Sequence, residues 1–387
     1  MLDTPIRILH LISGLASGGA ERVLTNLAVG LSVNRQFSCI VVSMTERGPF
    51  ADQIEAHGVP VYTLDMRRGR PSLQGIKTLR NRMKEFAPDI MQTWLYHADL
   101  LGLAVCGFSE IPHLVWNLRC SDMDLRRYRL LTRGVVSLLS RYSKIPSTVV
   151  VNSEAGRSHH LRIGYQPRHW EVIPNGFDSN VWRPDLGARK SVRCELGFSV
   201  SAPLVGYVAR LDPQKDHKTF LQAARSVLEA RADCQFLLVG DGVSTLRGEV
   251  AALRISDSVR LLDRREDIPR LTAALDVACL SSAWGEGFPN AIGEAMACGV
   301  PCVATDVGDV ANILSNTGHV VSPGSVTQFS AAILKLLACG ETARLALGAS
   351  ARARIMANYS LQAMIEQYGR LYRNLAGHRS SDLMDLK

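Results

Sequence analysis

The chain has 387 residues, 47% hydrophobic and 21% charged. At about 150 residues per domain, that length predicts two to three domains with real cores and excludes a disordered chain. The net charge is +8, and it is uneven: residues 1–175 hold 21 Lys and Arg against 14 Asp and Glu, while 176–387 hold 23 against 22.

The excess collects in two stretches, 67–84 and 119–144, with seven basic residues each. Such stretches attract anionic membrane, lipid-linked phosphate or nucleic acid; the alternative is two ordinary solvated helix faces. Apolar runs such as 100–108 fall short of the roughly 18 residues a spanning helix needs. The start of the chain lacks the basic region and cleavage site of a leader, so none is expected. The nine cysteines are odd in number and scattered, and Cys298 and Cys302 have no His or Cys at zinc spacing. Reduced thiols of a cytoplasmic protein are expected, with no structural metal.

Strand-like runs are expected at 6–12, 39–43, 89–93, 114–117 and 148–152. A second set follows at 204–209, 236–239, 259–262, 277–280 and 302–305. Helical patterns lie between, at 19–31, 72–86, 218–230 and 331–337. Apolar strands alternating with helices argue for parallel sheets covered on both faces. The fold class is therefore α/β, with two doubly wound, Rossmann-like domains at 1–175 and 176–360. The join is expected within 172–184, where Pro174-Asn175-Gly176 is strong turn chemistry. A helix at 361–375 is expected to pack back on the first domain. Ligands of such sheets bind beyond the carboxyl ends of the strands, and a cleft between the domains is the default site.

In chain order, the first strand leads into Ser13-Gly14-Leu15-Ala16-Ser17-Gly18-Gly19-Ala20-Glu21-Arg22. This has neither the Lys-Ser/Thr of a P-loop nor dinucleotide-fold glycine spacing. Gly18 and Gly19 either let the backbone approach a ligand or make a flexible loop. His97, in Thr93-Trp94-Leu95-Tyr96-His97, ends another strand and is a site candidate, with a structural histidine as the alternative. Asp122-Met123-Asp124 has the spacing of a metal motif. It follows Leu-Arg-Cys-Ser rather than an apolar strand end, and six basic residues follow by Lys144, so a charge-balancing cap is the better reading.

In the second half, Arg210 and Lys215 bracket a Pro-containing turn after a strand. Two fixed cations there can neutralise a diphosphate leaving group, with an ordinary solvated pair as the alternative. Gly240 and Arg264 end the next two strands. Then comes the segment from Val277 to Pro301, containing Glu286-Gly287-Phe288-Pro289-Asn290 and Glu294-Ala295-Met296-Ala297-Cys298-Gly299-Val300-Pro301. A helix starting with Pro289 as its first residue and stopped by Gly299 and Pro301 would turn its N-terminus, a ready anion site, toward the strand end. Glu294, about 7 Å along that helix, can accept bonds from a diol such as a ribose, and Glu286 can reach a second polyol; the alternative is a surface loop residue and a solvated helix residue.

That segment resembles the paired-glutamate signature of retaining glycosyltransferases, and its detail resembles glycosyltransferase family 4, in the branch that builds bacterial surface polysaccharide. The likeness extends to Gly18-Gly19-Ala20-Glu21 and to Arg210-Leu211 with Lys215-Asp216. It implies a two-domain GT-B architecture. It also implies roles: Glu286 on the donor sugar, Glu294 on the nucleotide ribose, Arg210 and Lys215 on the diphosphate, and the backbone of Gly287, Phe288, Pro289 and Asn290 facing sugar and diphosphate. Gly18 and Gly19 would sit near donor phosphate and acceptor, and Gly240 and Arg264 would border the base. Many members place a His near the reacting sugar, where this chain has Arg119, either an acceptor-phosphate ligand or part of the basic surface. The expected donor is a nucleotide diphosphate sugar, UDP ahead of GDP, without an essential metal. The expected acceptor is a glycan or lipid-linked glycan, with an anionic membrane surface as a further partner. An epimerase on the same scaffold and a basic nucleic-acid-binding protein are the competing readings. The second lacks any recognition motif with interleaved aromatics.

Overall fold

Thirteen short strands form two separate, wholly parallel sheets among the described residues. The computed structural model describes residues 4–16, 18–67, 70–107, 113–121 and 130–382, with backbone alone for 378–382. The chain divides into two units, Met1–Gly176 with Leu361–Lys387, and Phe177–Ser360.

The first unit holds β1 (Ile6–Ile12), α1 (Gly19–Ser32), β2 (Phe37–Ser43), α2 (Pro49–Glu55), β3 (Val61–Thr63), α3 (Leu73–Phe86) and β4 (Ile90–Trp94). It continues through α4 (Tyr96–Cys106), β5 (His113–Leu118), α5 (Leu130–Tyr142), β6 (Thr148–Val151), α6 (Glu154–Arg162) and β7 (Trp170–Val172). Its sheet order is β3-β2-β1-β4-β5-β6-β7. Central strands such as β1 and β4 are buried on both faces, which is why they read as continuous apolar runs rather than alternating ones.

The second unit holds α7 (Leu186–Glu195), β8 (Leu204–Val208), α8 (His217–Ala230), β9 (Gln235–Val239), α9 (Arg247–Ala252), β10 (Val259–Leu262), α10 (Ile268–Ala273) and β11 (Val277–Leu280). There follow α11 (Asn290–Ala297), β12 (Cys302–Thr305), α12 (Val310–Leu314), β13 (Gly318–Val321), α13 (Val326–Ala338) and α14 (Glu341–Asn358). Its sheet order is β10-β9-β8-β11-β12-β13. Asp276, just before β11, takes Arg189 and Arg193 of α7 at 2.6 Å each and the Leu204 amide at 2.8 Å, fixing α7 at the amino end of β8.

The last helix, α15 (Leu361–Asp382), belongs to the first unit. It buries Met364, Tyr368, Leu371 and Tyr372 among residues of β1, β2, α1 and α2. Two polar ties hold it: Tyr372 donates to Gln92 Oε1 at 2.5 Å, and Asn117 Nδ2 donates to the Tyr368 hydroxyl at 2.8 Å. These bonds satisfy polar groups inside the sheet that would otherwise be costly to bury.

Candidate active site

In the second sheet the chain winds one way from β8 to β9 and β10, then crosses back to β11 and on to β12 and β13. The loops after β8 and β11 therefore diverge to opposite faces, leaving the crevice in which such sheets bind ligands. The loop after β8 is built by local capping. Asp212 accepts from the Gln214 amide at 2.9 Å and so shapes the turn that ends in Lys215. Asp216, at φ 48°, caps α8 through the Thr219 amide at 3.2 Å. The buried Tyr207 hydroxyl donates to the Lys215 carbonyl, and Ser281 Oγ donates to the carbonyls of Lys215 and Asp216 at 3.1 and 2.8 Å. The two loops are joined directly where the Ala283 amide donates to the Gln214 carbonyl at 2.8 Å.

Glu286 is buried in this junction, and its Oε1 accepts two bonds, from Lys215 Nζ and from Ser282 Oγ at 2.6 Å. Thr305 Oγ1, at the end of β12, donates to the Ser282 carbonyl at 2.6 Å. Gly308, at φ 66°, lets the next loop lie flat on the Glu286 backbone; a Cβ there would fall 2.1 Å from the Glu286 carbonyl oxygen. The Asp309 amide then donates to the Gly287 carbonyl at 3.0 Å. Loops after three adjacent strands thus fix the carboxylate.

Helix α11 follows at once. The sequence predicts Pro289 as its first residue; the structure corrects this by one position. Pro289 is the N-cap, with ψ 110°, and its carbonyl receives the first helix bonds from Ile292 and Gly293. The ring fixes only φ, so it is compatible with either position. The far end is a Schellman close: Gly299 at φ 72° donates to the Met296 carbonyl, and Val300 donates to that of Ala295. Glu294 is the fifth residue of α11 and is buried. Gly293 lets the helix pack onto Phe177, whose ring would lie 2.1 Å from a Cβ. The Phe288 side chain packs inward between Phe177 and Tyr359, with ring centroids 5.8 and 5.0 Å away, the second edge-on. What the 287–290 segment offers a ligand is therefore backbone and the half-buried Asn290.

Lys215, Glu286 and the head of α11 come together. Arg210 follows β8 but is exposed, and its guanidinium pairs with Asp212 at 3.1 Å rather than with the acidic loop. Gly240 supports close contact between neighbouring loops: a Cβ would meet the Ala209 carbonyl oxygen at 2.0 Å. Arg264 is exposed after β10, while its neighbour Asp263 accepts from the Ser244 amide at 3.0 Å.

In the first unit the corresponding reversal lies between β1 and β4. Gly18 is the N-cap of α1, with Gly19 its first residue. A Cβ on Gly18 would lie 2.2 Å from Glu21 Oε2, so the helix's own carboxylate sits at its N-terminus. His97 lies in the first turn of α4, half-buried, and burial lowers its pKa. The turn before it is strained: Leu95 has φ 72° and ψ 153°, a region L-residues avoid. Arg119 is not part of a basic surface. It lies over the Trp94 ring at 5.6 Å, donates to Asn175 and to Asn117 Oδ1 at 3.4 Å, and desolvation pulls its pKa below the ordinary value. Asp122 and Asp124 lie outside the described residues.

Sequence reasoning missed Ser282, Thr305 and Gly308. Only the Ser281-Ser282 pair at the end of an apolar strand hinted at them, because their partners are remote in the chain.

Comparison with known proteins agrees with this architecture. The family model described as Glycosyltransferase Family 4 matches residues 17–181, and that of Glycosyl transferases group 1 matches residues 202–339. A GDP-mannose-dependent monoacylated alpha-(1-6)-phosphatidylinositol monomannoside mannosyltransferase of Corynebacterium glutamicum is 33% identical over 51% of this chain and 54% of its own length. The UDP-Gal:alpha-D-GlcNAc-diphosphoundecaprenol alpha-1,3-galactosyltransferase of Escherichia coli is 24% identical over 86% of this chain and 88% of its own. Among solved structures, Anabaena HepE in complex with UDP-glucose is 25% identical with a TM-score of 0.81, covering 97% of this chain and 99% of that one. Two parallel-sheet units of the GT-B type, both family models and these relatives agree: the chain belongs to the family 4 glycosyltransferases.

Proposed function

We propose that this glycosyltransferase acts with retention, moving a sugar from a nucleotide diphosphate sugar, UDP ahead of GDP, to a hydroxyl of a lipid-linked glycan in bacterial surface-polysaccharide assembly. One observation carries the reading: Glu286 and Glu294 are buried on either side of the α11 N-terminus, with Lys215 held on Glu286. Buried carboxylates beside an anion-binding helix end suit a ligand that is polyol at both ends and diphosphate in the middle. Glu286 would hold the sugar hydroxyls and Glu294 the ribose. Lys215, Arg210 and the helix terminus would stabilise the departing diphosphate.

The step is substitution at the anomeric carbon. Its bond to the diphosphate oxygen breaks, the acceptor oxygen bonds to the same face, and the acceptor's proton passes to the diphosphate. His97 and Arg119 are the candidates on the acceptor side, and no metal is required. Lipid acceptors named for the mannosyl- and galactosyltransferase relatives support a lipid-linked acceptor here. No helix of the described residues is long and apolar enough to cross a membrane. A lipid-linked acceptor would place the enzyme at the inner face of the cytoplasmic membrane as a peripheral protein.

A thermal-shift screen of UDP-, GDP- and ADP-sugars identifies the donor, because a bound ligand stabilises the folded chain by mass action. Radiolabelled transfer from that donor should then nearly vanish in Glu286→Ala and Arg210→Ala. Near-normal transfer by both variants, or conversion of donor without acceptor, overturns the reading.

A further inference from the structure

Helices α3, α4 and α5 cover one face of the first sheet. Leu79 and Met83 of α3, Leu101 and Val105 of α4, and Val136 and Leu139 of α5 share one core cluster, whereas α1, α2 and α15 fill the other. The exposed cations of α3 and α5, far apart in the chain, therefore meet solvent on the same side. On α3, Lys77, Arg80 and Lys84 are exposed; on α5, Arg133 and Arg141 are exposed, with Lys144 just beyond. Residues 130–147 contain no Asp or Glu at all.

Helix α5 also leaves apolar surface uncovered. Beside the buried Val136 and Leu139, Leu131, Leu138 and Tyr142 are 70%, 42% and 43% exposed. At 3.6 residues per turn, positions 131, 135, 138 and 142 fall within a sector of roughly 60°. They form one continuous row along the helix, and Val135 is half-buried within it. As the crossover from β5 to β6, α5 begins at the carboxyl ends of the strands, the edge of the sheet that carries His97 and Arg119.

We propose that the outer face of α5, supported by the basic side of α3, is a docking surface for an anionic lipid bilayer. The leucine and tyrosine row would enter the headgroup boundary, while Arg141 on the adjacent exposed face, with Arg133 and Lys144 further round, would pair with lipid phosphates. An exposed apolar row with cations on the rest of the solvent face is what an interfacial helix needs, and at 13 residues α5 is too short to span. A second copy of the chain would press like charges together. A nucleic acid would use the cations and leave the leucines in water. The proposal deepens the lipid-linked acceptor reading and rests on it.

The test is co-sedimentation of the full chain with vesicles of phosphatidylcholine, with and without phosphatidylglycerol, at low and high salt. Binding should require phosphatidylglycerol and weaken with salt. Leu131→Ser with Leu138→Ser should lower partitioning about tenfold or more, and Arg133→Gln with Arg141→Gln and Lys144→Gln should remove the salt dependence. Unchanged thermal unfolding would show that these exposed substitutions leave the fold intact. Absent binding, equal binding to neutral vesicles, or undiminished binding by the leucine variant overturns the proposal. So does a dimer in sedimentation velocity that the leucine variant dissolves. A UDP-sugar thermal shift separates the two claims: vesicle binding without any donor shift would count against the donor reading alone, and a donor shift without vesicle binding against this surface alone.

Discussion

Lys215 Nζ donates to Glu286 Oε1 across 71 residues of sequence, tying the loop after β8 to the loop after β11 at the point where the second sheet reverses its winding. The Lys215 side chain is one-fifth exposed and the Glu286 side chain less than a tenth. The pair is therefore shielded enough for its geometry to matter.

Replacing Lys215 by Ala removes a donor to Glu286 and, on the proposed reading, a cation for the leaving group. Its kcat should fall by about 100-fold, while stability should fall by only about 1–3 kcal/mol because Ser282 still bonds the carboxylate. Steady-state kinetics beside denaturant unfolding separates these effects. A large loss of stability with intact kcat would make the pair structural.

Ser282 and Gly308 should act through Glu286 rather than on substrate. Ser282→Ala leaves the carboxylate with Lys215 as a partner but loses the 2.6 Å bond that aims it. The expected loss in kcat is about tenfold, near the strength of one hydrogen bond to a charged group. Gly308→Ala places a methyl against the Glu286 carbonyl at a left-handed φ. It should lower stability by about 1–3 kcal/mol and activity with it. Full activity in Gly308→Ala would show that the loop after β12 does not position Glu286.

The expected strands nearly all recur within one or two residues, from Ile6–Ile12 to Cys302–Thr305, because strands buried on both faces announce themselves as apolar runs. Val61–Thr63, Trp170–Val172 and Gly318–Val321 escaped the reading. They are short, half-exposed edge strands with no such run. Of the site, Glu286, Lys215 and the α11 cap were visible because each is a local pattern of loop, turn and helix end. The turn of Arg210 toward Asp212 and the withdrawal of Arg119 beside Trp94 and Asn175 were not. Those outcomes depend on which neighbours folding supplies, and a basic residue reads alike in either setting.

Two buried histidines should make the first unit acid-sensitive. His160 donates from Nδ1 to the Gly156 carbonyl at 2.7 Å, so its Nε2 accepts from the Tyr96 hydroxyl at 2.7 Å and the ring is neutral. Burial lowers its pKa from 6.5 to about 4, and that of His10 to about 3. Below about pH 6.5 the unfolded chain binds protons that the folded chain refuses, so stability should fall steadily as pH drops toward 4. Thermal unfolding across this range should show that slope, and His160→Gln with His10→Gln should flatten it. An unchanged slope in the double variant would place the acid sensitivity elsewhere.

The claim that the two glutamates divide one donor between them is tested most directly by calorimetric titration of a nucleoside diphosphate and its sugar conjugate into Glu286→Gln and Glu294→Gln. Glu294→Gln should weaken both ligands alike, by about tenfold, because both contain the ribose. Glu286→Gln should weaken only the sugar conjugate and leave the nucleoside diphosphate at its wild-type affinity. Equal losses for both ligands in both variants, or none, would contradict the account.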